Sequence, residues 1–311
     1  VARIDESWLA DSARALPNAA GQATPPERGK NKHRVAVGAR LRPPREVVKL
    51  GDRLSYLLQP PLEDLLASAS LECPFEPFPH QIEGVAFLYT RHEAILADEM
   101  GLGKTMQAAV ALRLLAHHGE LETVLLICPK PLVTNWRREL SQWAPELPVA
   151  VLAGDTAQRR WIWRRRLPGV LLANYELVAR DREIIEQLDQ PFDAVLIDEA
   201  QRIKNRSSVT HQAVCSIGRR RSWALTGTPI ENSPDDLAGI FAFVAPGRVR
   251  PKQNLAAMRR AVSDHVIRRT KEQVLTALPP KLIRDAEVEL TPEQADAYRR
   301  AEEAGVIQLD R

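Results

Sequence analysis

Two short strings carry residue types that could do chemistry: Asp98-Glu-Met-Gly-Leu-Gly-Lys-Thr105 and, further on, Val195-Leu-Ile-Asp-Glu-Ala-Gln201. Gly101 and Gly103 have no Cβ, so the backbone around them can bend tightly and turn its N–H groups toward an anion. Lys104 and the Thr105 hydroxyl add a cation and an oxygen ligand, which suits a terminal phosphate and its Mg2+. Asp198 and Glu199 close an apolar run of strand length. One can hold Mg2+, and the other can orient and deprotonate water. Together the strings point to ATP and Mg2+. An acidic pair by itself could equally begin a helix, where acids are favoured. The usual phosphate-loop pattern, G-x-x-x-x-G-K-[ST], also wants glycine where this chain has Asp98.

Such a loop works only between a strand and a helix. The apolar run Ala94 to Ala97 precedes it, and Met106 to His117 follows with apolar residues at helical spacing. Further strand-like runs are Thr123 to Cys128, Ala150 to Leu152, Val170 to Ala173, Ala194 to Ile197 and Ser222 to Thr226, separated by helical patterns. This alternation predicts an α/β fold, a parallel sheet flanked by helices on both faces. Asp198 and Glu199 would then stand at the carboxyl end of a strand, where open parallel sheets bind ligands. Pro17 to Pro44 mixes Pro, Gly, Asn, Lys and Arg with few large apolar residues, so residues 1–46 read as a partly disordered N-terminal extension. Residues 47–76 read as a small accessory segment, 77–247 as the ATP-binding lobe, and 248–311 as a helical segment.

Composition narrows the class. The chain has 311 residues, 44% hydrophobic and 27% charged, as in ordinary globular proteins. No run approaches the roughly 18 apolar residues of a membrane span, and no secretory signal opens the chain. The expected place is the cytosol or a nucleus, with no membrane partner. A net charge of +3 does not by itself advertise nucleic-acid binding. Cys73, Cys128 and Cys215 are odd in number and widely spaced, which argues for reduced packing residues over a disulfide framework or metal cluster. The run Arg159 to Arg166, which includes Trp161 and Trp163, reads as an amphipathic helix with buried tryptophans and a solvated arginine face, in preference to a nucleic-acid patch. Arg219 to Arg221 read as a charged loop before a strand.

Three further strings join these: FPHQIEGVAFL at 78–88, CPKPLVTNW at 128–136 and LTGTPIEN at 225–232. With ANYELVARD (173–181), DEAQRIKN (198–205), DDLAGIFAFVAPG (235–247) and VIRRTKEQVLTALPPK (266–281), the series resembles the SWI/SNF-type ATPases, a double-stranded-DNA translocase branch of the superfamily 2 helicases. The resemblance implies a RecA-like P-loop NTPase lobe, and Asp98 is normal in that branch. It also implies roles residue by residue. Gln81 reads the adenine edge, while Asp98, Glu99, Met100, Gly101, Leu102, Gly103, Lys104 and Thr105 hold the nucleotide. Thr105 and Asp198 bind Mg2+, and the catalytic set is Lys104, Asp198 and Glu199. Lys130, Asn135, Trp136, Asn174, Tyr175, Lys204 and Asn205 contact the DNA backbone. Gln201, Thr226 and Thr228 couple the two sites. Gln201 stands where many relatives have histidine.

The expected activity is ATP-driven translocation on double-stranded DNA, remodelling a DNA-bound protein such as RNA polymerase or another nucleoprotein. An RNA or DNA strand-separating helicase and a nonhydrolytic, ATP-responsive binding module are the alternatives. Thr291 to Tyr298 resembles the lead into a second lobe. The chain is therefore expected to be a first lobe that binds ATP and hydrolyses it poorly in isolation.

Overall fold

Successive apolar residues in the strands point to opposite sides, so this sheet has to be covered on both faces. Ile95, Leu125, Ile127, Leu171, Val195 and Ile197 lie in one core, and their neighbours Ala94, Leu96, Val124, Leu126, Leu172 and Leu196 lie in another. The structure is a computed structural model describing residues 73–228, 234–249, 254–274 and 291–304.

The chain runs α1 (Pro79–Tyr89), β1 (Glu93–Leu96), α2 (Lys104–His117), β2 (Thr123–Cys128), α3 (Val133–Trp143), β3 (Val149–Val151), α4 (Thr156–Arg165), β4 (Gly169–Asn174), α5 (Tyr175–Arg180), α6 (Arg182–Ile185) and β5 (Phe192–Asp198). It continues through α7 (Val209–Ser216), β6 (Arg219–Leu225), α8 (Pro234–Val244), α9 (Leu255–Val262), β7 (Val266–Ile267) and α10 (Lys271–Val274). Short 3-10 turns at Lys130–Leu132 and Ala200–Ile203 follow β2 and β5. A separate unit, Leu275–Arg311, contributes α11 (Pro292–Ala304).

The seven strands pair in the order β3-β4-β2-β5-β6-β1-β7, every pair parallel. Helices α1, α2 and α3 supply Leu88, Leu112 and Trp136 to one core. Helices α4 to α9 supply Trp163, Val178, Ile185, Val214, Phe241 and Met258 to the other. This is the doubly covered α/β sheet that the alternation predicts. Because all strands are parallel, the loop after β1, the carboxylates ending β5 and the segment after β6 share one edge of the sheet.

Three readings change. Residues 248–274 are not a helical extension beyond the lobe, because β7 pairs Val266 with Ile95 and Ile267 with Leu96. Two residues are too few to show a strand period. Arg219 to Arg221 lie inside β6: Arg221 is buried against Glu120, and the Arg219 guanidinium stacks 4.2 Å over the Phe243 ring and donates to main-chain carbonyls. Burial brings Arg219 down to about 10. The arginine-tryptophan run does form a helix, α4, but its sides are mixed. Trp163 and Arg159 are buried, while Trp161 is 58% exposed. The three cysteines are free, and Cys128, buried at the end of β2, is pushed up to about 12 by burial. Readings for residues 1–46, and for nearly all of 47–76, fall outside the described residues.

Arg159 explains how α4 is anchored. Its Nε and Nη2 donate to the Asp181 carboxylate at 2.8 Å each, and Trp163 Nε1 adds a third bond at 2.9 Å. Burial alone would raise the Asp181 carboxyl, but these donors hold it below its ordinary range. A depressed folded value means the stabilisation is complete above the unfolded carboxylate value, about 4, and is lost as pH falls through the folded one. Asp181→Ala should cost about 3–5 kcal/mol at neutral pH by stranding the buried Arg159. Urea denaturation of both proteins across pH 7 to 3 should show the gap narrowing at the acid end.

Candidate functional site

The phosphate loop begins where β1 runs out. Gly101 and Gly103 adopt φ 91° and 79°, left-handed values that side-chain-bearing residues rarely take, and Gly103 caps α2. The free N–H groups and dipole of a 14-residue helix thus face the loop. Lys104 Nζ donates to the Asp98 carbonyl at 2.7 Å and the Glu99 carbonyl at 3.4 Å. Burial pushes the Lys104 ammonium below the ordinary lysine range, against the pull of Asp98, Glu199 and Asp198. A Cβ built on Gly103 would meet Gln81 Nε2 at 2.5 Å, so the amide of α1 lies against the loop. The segment after β6 closes in as well: a Cβ on Gly227 would stand 2.9 Å from Met100 Cγ and 3.7 Å from Lys104 Nζ.

The Asp98 side chain faces away from this cradle. It is fully buried, with Oδ1 accepting from Arg269 Nε at 3.0 Å and from the Arg269 main-chain N–H at 3.1 Å. Its Oδ2 accepts from Arg269 Nη2 at 2.5 Å and Gln107 Nε2 at 3.4 Å. Arg269 also donates to the His80 carbonyl and to Gln107 Oε1. Asp98 therefore shapes the loop from behind and offers a nucleotide no carboxylate.

At the end of β5, Asp198 is 8% exposed. Its Oδ2 accepts from Trp136 Nε1 at 2.7 Å and its Oδ1 from the Glu199 N–H at 2.9 Å. Burial pushes Asp198 above the ordinary carboxylate range, while the Trp136 bond pulls the other way. Glu199 takes φ 52°, ψ 55°, a left-handed turn that costs a non-glycine residue energy and turns the chain sharply off the strand. From it runs a relay: Gln201 Nε2 donates to Glu199 Oε2 at 2.7 Å, Thr226 Oγ1 to Gln201 Oε1 at 2.9 Å, and the Thr228 N–H to Thr226 Oγ1 at 3.1 Å.

Oxygen donors such as the Asp198 carboxylate and the Thr105 hydroxyl suit Mg2+. Among the described residues no group of three or more His, Cys, Asp or Glu could cage a metal. Such a sparse set fits an ion that arrives with phosphates and keeps several waters.

The SNF2-related domain matches residues 80–311. This chain belongs to that family. An ATP-dependent helicase of Mycoplasma pneumoniae is 34% identical over 74% of this chain and 24% of its own length. An ISWI chromatin-remodeling complex ATPase of Saccharomyces cerevisiae is 30% identical over 71% of this chain and 22% of its own. The chain thus spans under a quarter of the length of these curated relatives. Among solved structures, the SWI2/SNF2 ATPase core of Sulfolobus solfataricus in complex with double-stranded DNA is similar at TM-score 0.57 and 31% identity, over 74% of this chain and 54% of that one. The sheet, the glycine loop and the carboxylate strand are those of a SNF2-related, RecA-like lobe.

Segments expected on the DNA side all follow strands at this same edge. Lys130 and Asn205 are exposed, and Asn135, Asn174 and Lys204 are half-buried. Asn174 caps α5 by accepting from the Leu177 N–H, and Lys204 pairs with Asp236 at 3.8 Å. Trp136 and Tyr175 are different: at 0% and 2% exposure they cannot touch DNA, and both hydrogen-bond to Asp198 instead. Sequence reasoning missed Arg269, Arg268 and Lys271. Arg268 donates to the Gly227 carbonyl at 3.2 Å, and the Lys271 N–H donates to Glu99 Oε2 at 2.8 Å. Their one signal was membership of the string VIRRTKEQ at 266–273, which says nothing of Asp98, far away in sequence.

Arg269→Met should destabilise the lobe by about 3–5 kcal/mol, because Asp98 would stay buried without its partner. Adding Asp98→Leu should recover most of that loss. A double-mutant cycle by urea denaturation reads both.

Proposed function

We propose that this lobe binds MgATP at the loop 98–105 and drives translocation along double-stranded DNA to remodel protein-DNA complexes. The observation that carries it is the convergence of Lys104, Asp198–Glu199 and the Gln201–Thr226–Thr228 relay at one edge of the sheet. Lys104 would hold the β- and γ-phosphates, Thr105 and Asp198 would complete the Mg2+ shell, and Glu199 would take a proton from the attacking water. Bound Mg2+ would supply charge neutralisation on the phosphate oxygens. Gln81, whose amide lies against Gly103, would read the adenine edge. Lys130, Asn135, Asn174, Lys204 and Asn205 would grip DNA phosphates, contacts that position a protein without reading sequence. The Glu199-to-Thr228 relay would carry DNA engagement to the water-activating carboxylate.

The archaeal relative's DNA complex and the remodelling ATPase of yeast support the DNA reading. Glu199 and Lys104 form one wall of the site. A facing cationic surface would be needed to neutralise the transition state, so residues 1–311 alone should hydrolyse ATP slowly.

ATP turnover and binding by this chain, with and without duplex DNA, test the reading. Lys104→Ala should abolish binding. Glu199→Gln should keep it while lowering turnover about 100-fold or more. Separation of RNA or DNA strands in a displacement assay would replace translocation with the helicase reading, and turnover unchanged in both variants would sink the site assignment.

A further inference from the structure

Two residues next to the proposed DNA contacts turn inward and meet at the same place. Trp136 follows Asn135 at the start of α3, and Tyr175 follows Asn174 at the end of β4. Both Asn side chains are half-exposed, whereas the two aromatics are 0% and 2% exposed. Trp136 Nε1 reaches Asp198 Oδ2 at 2.7 Å, and the Tyr175 hydroxyl donates to the Asp198 main-chain carbonyl at 2.6 Å.

We propose that Trp136 and Tyr175 are positioning residues that clamp the Asp198–Glu199 turn from two sides and tie it to the surface segments at 130–135 and 174. The inference rests on the reading of Asp198 as the Mg2+ carboxylate and deepens it. An indole N–H only donates, so its partner is always an acceptor such as this carboxylate. With Oδ2 held by Trp136 and Oδ1 by the Glu199 N–H, the carboxylate plane is fixed, and each oxygen keeps a lone pair for metal or water. Tyr175 acts on the backbone instead. Glu199 holds φ 52°, a conformation that persists only when its surroundings over-determine it, and the bond to the Asp198 carbonyl does so one residue away.

The link outward is short. Asn135 and Trp136 share one turn of α3, and Asn174 both ends β4 and caps the helix that Tyr175 begins. A shift of either surface asparagine on meeting a phosphate therefore moves a donor to Asp198 through one peptide unit. Neither aromatic needs to touch DNA for DNA to be felt at the metal carboxylate.

The test uses Trp136→Phe and Tyr175→Phe, each removing one donor while keeping an aromatic ring in the core. Binding of a fluorescent ATP analogue to the 311-residue chain is measured by anisotropy in Mg2+ and in EDTA, each with and without a DNA duplex. Affinity in EDTA should stay near wild type, because the loop and Lys104 are intact. In Mg2+ the Trp136→Phe affinity should fall about tenfold, as for other groups that orient a metal ligand, and Tyr175→Phe should fall less. The duplex should bind both variants as it binds wild type, yet no longer change their nucleotide affinity. If Trp136→Phe melts far below wild type, the milder Tyr175→Phe decides. Wild-type Mg2+ dependence in the folded variants overturns the clamp, and a duplex effect of wild-type size overturns the tie to the surface. Wild-type protein that binds nucleotide with no Mg2+ effect overturns the reading of Asp198 as the Mg2+ carboxylate and the inference with it, whereas a wild-type Mg2+ effect that both folded variants retain overturns the inference alone. Wild-type protein that binds no nucleotide, or binds it equally well after Lys104→Ala, overturns the reading beneath it and the inference together.

Discussion

The buried ion pair between Asp98 and Arg269 decides how the loop is built. A carboxylate with no exposure to water is tolerable only when fully partnered, and Arg269 meets it with two side-chain donors and a main-chain N–H. The same guanidinium reaches the His80 carbonyl and Gln107 Oε1, so one side chain joins the segment after β7, the start of α1, the phosphate loop and α2. Bidentate geometry matters here, since a planar guanidinium holds both carboxylate oxygens at once and a lysine would not. Glycine at position 98, the residue of the general loop pattern, would take away the buried carboxylate and leave that cation only the exposed Glu83 at 3.4 Å as an acidic partner.

From this clip the ladder continues past the end of the sheet. The Glu99 N–H donates to the Arg269 carbonyl at 2.9 Å, extending the pairing of β1 with β7 into the loop itself. The loop is thus braced along one side by an edge strand, and Gly227, from the segment after β6, approaches it closely. Such bracing suits a site that must present N–H groups to phosphates without reorganising. The carboxylate turn is treated in the same way, with Trp136 and Tyr175 gripping Asp198 while Gln201 restrains Glu199. Buried polar groups that are fully paired define a single geometry, whereas unpaired ones would favour rearrangement.

Much of the fold was legible because parallel strands covered on both faces leave a strong apolar signal. Thr123–Cys128 emerged with the predicted bounds, and β1, β3, β4, β5 and β6 with shifts of one to three residues at their ends. The strand β7 was hidden by its length of two residues. Arg219 and Arg221 concealed the start of β6, because their charges are satisfied by partners distant in sequence: the Phe243 ring and carbonyl for Arg219, and Glu120 for Arg221. The helix α4 misled in the other direction. Periodicity cannot show that Arg159 is buried and Trp161 exposed, since that follows from where Asp181 lies after β4. Trp136 and Tyr175 sit within strings that resemble DNA-contacting segments, and only burial separates them from their asparagine neighbours.

Sequence by itself determined the strand-loop-helix order, the two glycines with Lys104 and Thr105, and the carboxylates at a strand end. These are local features, set by residues adjacent in the chain, and a period or a spacing records them. Tertiary structure alone decided the inward turn of Asp98, the buttressing of Asp198 and the relay from Glu199 to Thr228. Each depends on partners brought together by strand order, with β1 and β5 flanking β6 and β7 closing the edge. A hydrogen bond is made in space, between groups whose separation along the chain carries no trace of it.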